Sequence, residues 1–152
     1  MLRAVGRAVV SALAVVLCAS AAEKPSVTFS DTKLKNGLRV IVSEDHTAPT
    51  VSVAVTYNVG SADERTGRTG FAHLFEHMMF KGSENVGPGE HSTAIFNSGG
   101  TDNGTTNEDR TLYFETLPAN QLELALFLEG DRMKSLDINK ANLDNQRNAV
   151  QE

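Results

Sequence analysis

The chain has 152 residues, of which 40% are hydrophobic and 22% are charged, and its formal net charge is −5 at pH 7. This composition indicates one ordinary globular domain and argues against a disordered chain. Beyond residue 22 the basic residues form no cluster, and the acidic balance argues against nucleic acid and anionic membrane as partners.

Residues 1–22 have a different composition from the rest. Arg3 and Arg7 precede an uncharged run from Ala8 to Ala22, which ends in small residues. This pattern predicts a secretory signal peptide, and hence a periplasmic or secreted protein, with a mitochondrial location as the alternative. The run is shorter than the roughly 20 residues that span a bilayer, so no permanent membrane anchor is expected. Cys18 lies within it, and the mature chain is therefore predicted to have no disulfide.

Strand patterns open the mature chain. Leu34 is separated from the β-prone run Leu38–Val42 by a turn containing Asn36-Gly37, the strongest short signal for a hairpin. A half-buried strand is predicted at Val51–Tyr57, with alternate residues on one face. The polar residues from Gly60 to Thr69 are expected to form a loop.

The stretch Gly70–Phe80 is apolar apart from His73, Glu76 and His77. In a helix each residue advances by about 100°, so Glu76 and His77 lie at about 300° and 40° from His73, on one face. Two imidazoles one turn apart chelate a single metal ion, and a neighbouring carboxylate accepts a proton from a water on that ion. The spacing H-x-x-E-H is the inverted form of the zincin motif.

The same three residues are compatible with a hydrogen-bonded pair of core histidines or with a closed structural metal site. The first leaves a buried polar cluster that is costly to desolvate. The second normally uses four ligands rich in cysteine, and this chain has one cysteine, so an open catalytic site is favoured. Thr69 and Gly70 are predicted to begin the helix and Gly82 to follow it. Apolar side chains around most of the circumference predict a deeply buried helix.

Shorter patterns follow the motif. Ser83–Gly89 is predicted as a loop and Glu90–Ser98 as a short helix. His91 has no ligand spacing to another histidine and is assigned to the surface. Strands are predicted at Thr101–Asn107 and Arg110–Leu117.

In the second of these strands Leu112 and Phe114 are taken as the apolar positions. Asn120 is predicted to cap a helix that reaches Met133, and another helix is predicted from Asp137 to Glu152. Together these elements predict an α+β fold, with an antiparallel-type sheet and helices packed on one side of it.

The motif region Gly67–Met78, the strands before it and the segment Gly99–Pro118 resemble the pitrilysin/insulinase family of zinc peptidases (family M16), most closely its bacterial exported members. The resemblance implies that His73 and His77 bind one zinc ion per active site and that Glu76 is the general base. It also implies that Thr101–Thr106 is an edge strand to which an extended peptide adds, with Asn103 and Gly104 as substrate-binding residues. The family more often has Ala at the position of Gly104.

The resemblance implies a zinc-dependent endopeptidase, with a non-catalytic subunit or structural metal-binding module of the same fold as the alternative. Residues 23–152 are expected to be the N-terminal portion of a peptidase domain, truncated at its C-terminal end and inactive alone. A second peptidase half is expected from the same chain or from a partner subunit. The family's third zinc ligand is a Glu three positions after the residue matched by Val150, which predicts the residue after Glu152, with Glu152 itself as the alternative.

Overall fold

The computed structural model describes residues 27–151. The predicted leader, residues 1–22, lies outside the described residues, as does Glu152. The chain divides into two compact units between Asp45 and His46. Over residues 27–151, none of the helices combines the length and the apolar character needed to cross a membrane.

The first unit contains the predicted hairpin. Strand β1 (Ser30–Lys33) pairs antiparallel with β2 (Arg39–Val42). Between them, Asn36 accepts a hydrogen bond from the Leu38 N–H through its side-chain oxygen at 3.1 Å, and Gly37 has φ of 92°, a left-handed conformation that favours glycine. The hairpin is confirmed, although its first strand ends just before Leu34.

The second unit is built on a three-stranded antiparallel sheet. Its strands are β3 (Thr50–Tyr57), β4 (Thr101–Thr106) and β5 (Thr111–Pro118), in the order β3-β5-β4. Val51 pairs with Leu117, and Gly104 pairs with Tyr113. In the described part of the chain β4 therefore lies at one edge of this sheet and β3 at the other.

Four helices belong to this unit: α1 (Phe71–Met78), α2 (Glu90–Asn97), α3 (Leu122–Ser135) and α4 (Lys140–Gln151). Side chains of α1, α2 and α3 contact Thr106, Glu115 and Tyr113 respectively, which lie on the same face of the sheet. Helices therefore pack on one side of an antiparallel sheet, as predicted. The buried apolar core is Val86, Ile95, Leu117, Ala125 and Leu128.

The buried face of β5 is not the predicted one. Alternate residues from Thr111 to Leu117 are buried, whereas Phe114 is 39% exposed. The alternation of apolar residues predicted the wrong face because the buried face includes Glu115, which is 1% exposed and has a histidine as its partner. A buried polar residue with a partner does not reveal its burial through apolarity.

Helix α1 is less buried than predicted. Ala72, Leu74 and Met78 are buried, but Phe71 and Phe75 are 46% and 44% exposed. The two phenylalanines line an apolar hollow of about 450 Å³. Only one face of α1 packs against the sheet.

The predicted cap at Asn120 is also wrong. A 3-10 turn occupies Ala119–Gln121, and α3 begins after it at Leu122 without a capping side chain. The Ala119 N–H donates to the Pro49 carbonyl at 2.9 Å, which holds this turn against the start of β3. The chain therefore needs one tight turn before the helix can begin.

Candidate active site

Glu64 holds the N-terminus of the motif helix. Gly70 precedes α1 with φ of 88° and has no side chain to cap it. The Glu64 carboxylate instead accepts hydrogen bonds from the Ala72 and Gly70 N–H groups, both at 2.8 Å. These bonds, that from Ala72 first, hold the pKa of Glu64 below its ordinary value. A carboxylate at this position also complements the helix dipole.

The two motif histidines face each other. Their Nε2 atoms are 3.1 Å apart, and their rings meet edge to face with centroids 4.7 Å apart. Two nitrogens that each lie 2.0–2.1 Å from one tetrahedral zinc ion are about 3.3 Å apart. His73 and His77 therefore fit as two ligands of one zinc ion.

Gln146, on α4, orients His77. Its Oε1 lies 3.3 Å from His77 Nδ1, and its Nε2 donates to the Asn145 side-chain oxygen at 2.5 Å, which turns Oε1 toward the ring. His77 Nδ1–H then donates to Gln146, and the lone pair stays on Nε2, the nitrogen that faces His73. Gln146 is 4% exposed. It was not predicted from the sequence, where no local pattern distinguishes it.

Glu76 faces the edge strand. The Thr106 hydroxyl on β4 donates to Glu76 Oε2 at 2.5 Å. A Cβ atom added at Gly104 would lie 3.2 Å from Glu76 Cγ, so the glutamate side chain lies directly against the backbone of β4. The general base that the motif predicts is thus next to the strand predicted to bind substrate.

A groove of about 510 Å³ runs between α1 and β4. Of the predicted site residues, His73, Glu76 and Gly104 line this groove, and His77 contacts it through His73. Asn103 is not among its lining residues, and its side-chain oxygen accepts the Gly104 N–H at 2.8 Å. The structure therefore brings four of the five predicted residues together and leaves Asn103 on the other face of the strand.

A second polar cluster lies on the buried face of β5 and includes His91, which was predicted to lie on the surface. His91 is 4% exposed, and its Nε2 is 3.3 Å from Glu115 Oε2. Ligand atoms of His91, Glu115 and Glu129 all lie within 4.8 Å of one another. The assignment of His91 to the surface is wrong because the first turn of α2 faces the buried side of β5.

Arg132 supplies the positive charge of this cluster. It binds Glu129 through two hydrogen bonds, Nε to Oε2 at 3.0 Å and Nη2 to Oε1. Burial raises the pKa of the Glu129 carboxyl, and the bonds from Arg132 act in the opposite direction. Arg132 compensates the charge of Glu129, and His91 faces Glu115, so these four side chains form a buried ion-pair network.

The H-x-x-E-H motif is the signature of an inverted zincin, and here the helix that carries it packs against an edge strand of the described sheet. The family model described as insulinase, peptidase family M16, matches residues 39–152. The chain belongs to this family, and the resemblance seen in the sequence is confirmed.

Curated relatives and solved structures agree with this assignment. The zinc protease PqqE of Helicobacter pylori is 35% identical over 120 residues, which are 78% of this chain and 27% of that protein. The crystal structure of a protease from Helicobacter pylori matches with a TM-score of 0.78 and 31% identity, over 82% of this chain and 30% of that one. Pitrilysin matches with a TM-score of 0.75 and 26% identity, over 84% and 14%. The chain thus spans about a quarter of the length of the first relative, and its predicted pitrilysin-like fold is confirmed.

Proposed function

We propose that the protein containing this chain is a zinc-dependent endopeptidase that hydrolyses extended polypeptides. The observation that carries the proposal is the pair of imidazole Nε2 atoms 3.1 Å apart, beside a carboxylate that faces an edge of the described sheet. Membership of the insulinase family supports it, as does the similarity to a relative named as a zinc protease.

His73 and His77 would hold the zinc ion, with Gln146 fixing the tautomer of His77. When bound, zinc supplies a Lewis acid that lowers the pKa of a water to about 7 and polarises the substrate carbonyl. A third protein ligand is needed for a catalytic site. The resemblance to the family gives two candidates for this ligand, the residue after Glu152 and, as the alternative, Glu152 itself.

Glu76 would act as the general base and then as the general acid. It accepts a proton from the attacking water and returns it to the leaving amine. The Thr106 hydroxyl holds Oε2 of Glu76, so Oε1 is the oxygen that exchanges the proton. The base would then lie in the groove beside a peptide that pairs with β4.

The main chain of the substrate would pair with β4. Gly104 has no side chain, which lets an extended peptide approach the strand and Glu76 closely. A bound, non-cleavable peptide should protect the amides of Thr101–Thr106 from hydrogen exchange. The matched control is β3, the other edge of the described sheet, and equal protection of Thr50–Tyr57 would contradict strand addition at β4.

The decisive experiment replaces the base without touching the metal ligands. In the full-length protein, Glu76→Gln should retain zinc and lose peptide cleavage by about 10²–10⁴-fold. His73→Ala and His77→Ala should lose zinc as well, and Glu123→Gln, on the exposed surface of α3, should change neither. Full cleavage by a zinc-loaded Glu76→Gln variant would refute the assignment. Stoichiometric zinc in a wild-type protein that cleaves no peptide would favour a structural metal-binding module.

Export of the protein remains a prediction from the composition of residues 1–22. Mass spectrometry of the mature protein should find an N-terminus at Ala22 or Glu23. An intact Met1 on protein recovered from the cytosol would contradict it.

A further inference from the structure

Two aromatic rings lie between Arg132 of the buried ion-pair network and Gly104, which lines the groove. Phe80, two residues beyond the end of α1, lies 5.9 Å from the ring of Tyr113 on β5. The Arg132 guanidinium lies against both rings, with its Cζ atom 5.3 Å from the Phe80 centroid and 4.6 Å from the Tyr113 centroid. A cation is attracted electrostatically to the face of an aromatic ring, so the Arg132 guanidinium holds the rings of Phe80 and Tyr113 together.

The guanidinium itself has little freedom to move. Arg132 and Glu129 are 4% and 3% exposed, and two hydrogen bonds join them. Separating a buried ion pair leaves an uncompensated charge in a medium of low dielectric, which strongly opposes any displacement. His91, paired with Glu115, also meets the Phe80 ring edge to face, with centroids 6.1 Å apart.

The same two rings lie against Gly104, a residue that lines the groove. A Cβ atom added at Gly104 would lie 3.2 Å from Tyr113 Cδ1, 3.3 Å from Phe80 Cε2 and 3.2 Å from Glu76 Cγ. Both rings and the Glu76 side chain therefore meet at one point of β4. The strand is held there by its pairing with β5, whereas α1 belongs to no sheet. Phe80, two residues after α1, is thus one of the side chains through which the end of this helix contacts the strand.

We propose that Arg132 is a positioning residue for Glu76. Its guanidinium plane fixes Phe80 against Tyr113, and Phe80 in turn fixes α1 at the distance from β4 at which Thr106 holds Glu76. Arg132 touches neither metal nor substrate in this scheme. The catalytic readout rests on the proposed peptidase function, while the structural readout does not.

Two variants of the full-length protein separate the plane of the guanidinium from its charge. Arg132→Lys keeps the charge that compensates Glu129 and loses the planar, two-pronged contact. The double variant Glu129→Leu/Arg132→Met removes both charges at similar volume, a replacement that buried ion pairs tolerate. Arg132→Met alone is avoided because it leaves Glu129 buried and unpaired. Lys134→Met is the matched control, since Lys134 is on the same helix and its side chain is 79% exposed.

Both Arg132 variants should fold and bind zinc as the wild type does. KM should stay within about twofold of the wild-type value, while kcat falls by about 10–100-fold, because a small misplacement of a catalytic group has an effect of this size. Amides of residues 78–81 should exchange faster, and those of β5 should not change. A folded variant with wild-type kcat and wild-type exchange would overturn the proposal. A rise in KM at constant kcat would overturn it as well.

The two proposals fail in distinguishable ways. If the wild-type protein cleaves no peptide, the proposed function is wrong, and the exchange measurement alone decides whether Arg132 positions α1. If the double variant does not fold, Arg132→Lys decides, because its charge balance is intact. Faster exchange at residues 78–81 supports the proposal in either case, and unchanged exchange there contradicts it.

Discussion

Gln146 should raise the affinity of the site for zinc although it does not itself bind the ion. Its Oε1 accepts the Nδ1–H of His77, which keeps the lone pair on the nitrogen that faces His73. Removal of such a partner typically costs 10–100-fold in metal affinity. At 3.3 Å this hydrogen bond is long, so we expect Gln146→Leu to weaken zinc binding by about tenfold, which corresponds to about 1.4 kcal/mol.

The assay is competition for zinc between the metal-free, full-length protein and a chromophoric chelator. Gln146→Glu should bind zinc at least as well as the wild type, because a carboxylate accepts the same hydrogen bond. Arg147→Gln is the control on the neighbouring position, where the side chain is 57% exposed and pairs with Asp144. Unchanged zinc affinity in a folded Gln146→Leu variant would refute the role assigned to this residue.

Three further predictions concern the surroundings of the site. The pKa of Glu64 is lowered in the folded state from its ordinary value of 4.5, so its contribution to stability is present above about pH 4.5 and is lost as the pH falls through the lower, folded-state pKa. Thermal unfolding between about pH 5 and pH 3 should therefore show a larger loss of stability in the wild type than in Glu64→Gln, and parallel curves would contradict this. Gly104→Ala should keep kcat/KM for peptide cleavage within about tenfold, because a Cβ atom crowds Glu76 by only a few tenths of an ångström. The branched side chain of Gly104→Val should abolish cleavage, while the metal content shows that zinc is still bound. Gly60→Ala should lower the melting temperature and reduce the free energy of unfolding by about 1–3 kcal/mol, because its Cβ atom would lie 2.3 Å from the carbonyl oxygen of Asn107. A melting temperature equal to that of the wild type would show that the loop adjusts freely.

The motif could be predicted from the sequence because its geometry is local. His73, Glu76 and His77 are close in the chain, and the helical period alone places them on one face. Their partners come from far along the chain: Thr106 is 30 residues from Glu76, and Gln146 is 69 residues from His77. No periodicity relates residues at such separations, so these two partners could be found only in the folded chain.

The strand and helix pattern could likewise be predicted, while the buried face of β5 could not. Apolarity pointed to Leu112 and Phe114, but the helices cover Thr111, Tyr113, Glu115 and Leu117. The prediction of a buried face from sequence assumes that the buried side chains are apolar. It fails where a distant residue supplies a buried polar group with its partner, as His91 does for Glu115.

The buried side of β5 changes from apolar to polar along its length, and the candidate site lies at its polar end. Leu117 packs in the apolar core, and the Glu115 carboxylate faces the His91 ring. The Arg132 guanidinium lies over the ring of Tyr113. The Thr111 hydroxyl is 3.3 Å from that of Thr106, which binds Glu76. Alternate residues of a strand are about 6.8 Å apart, so these four contacts extend over about 20 Å. Beyond Leu117, each of these buried residues makes a polar or cation–aromatic contact in place of apolar packing. Burying polar groups costs stability, so this end of the strand stabilises the fold less than the apolar packing of Leu117 does, and it is the end at which Thr106 binds Glu76.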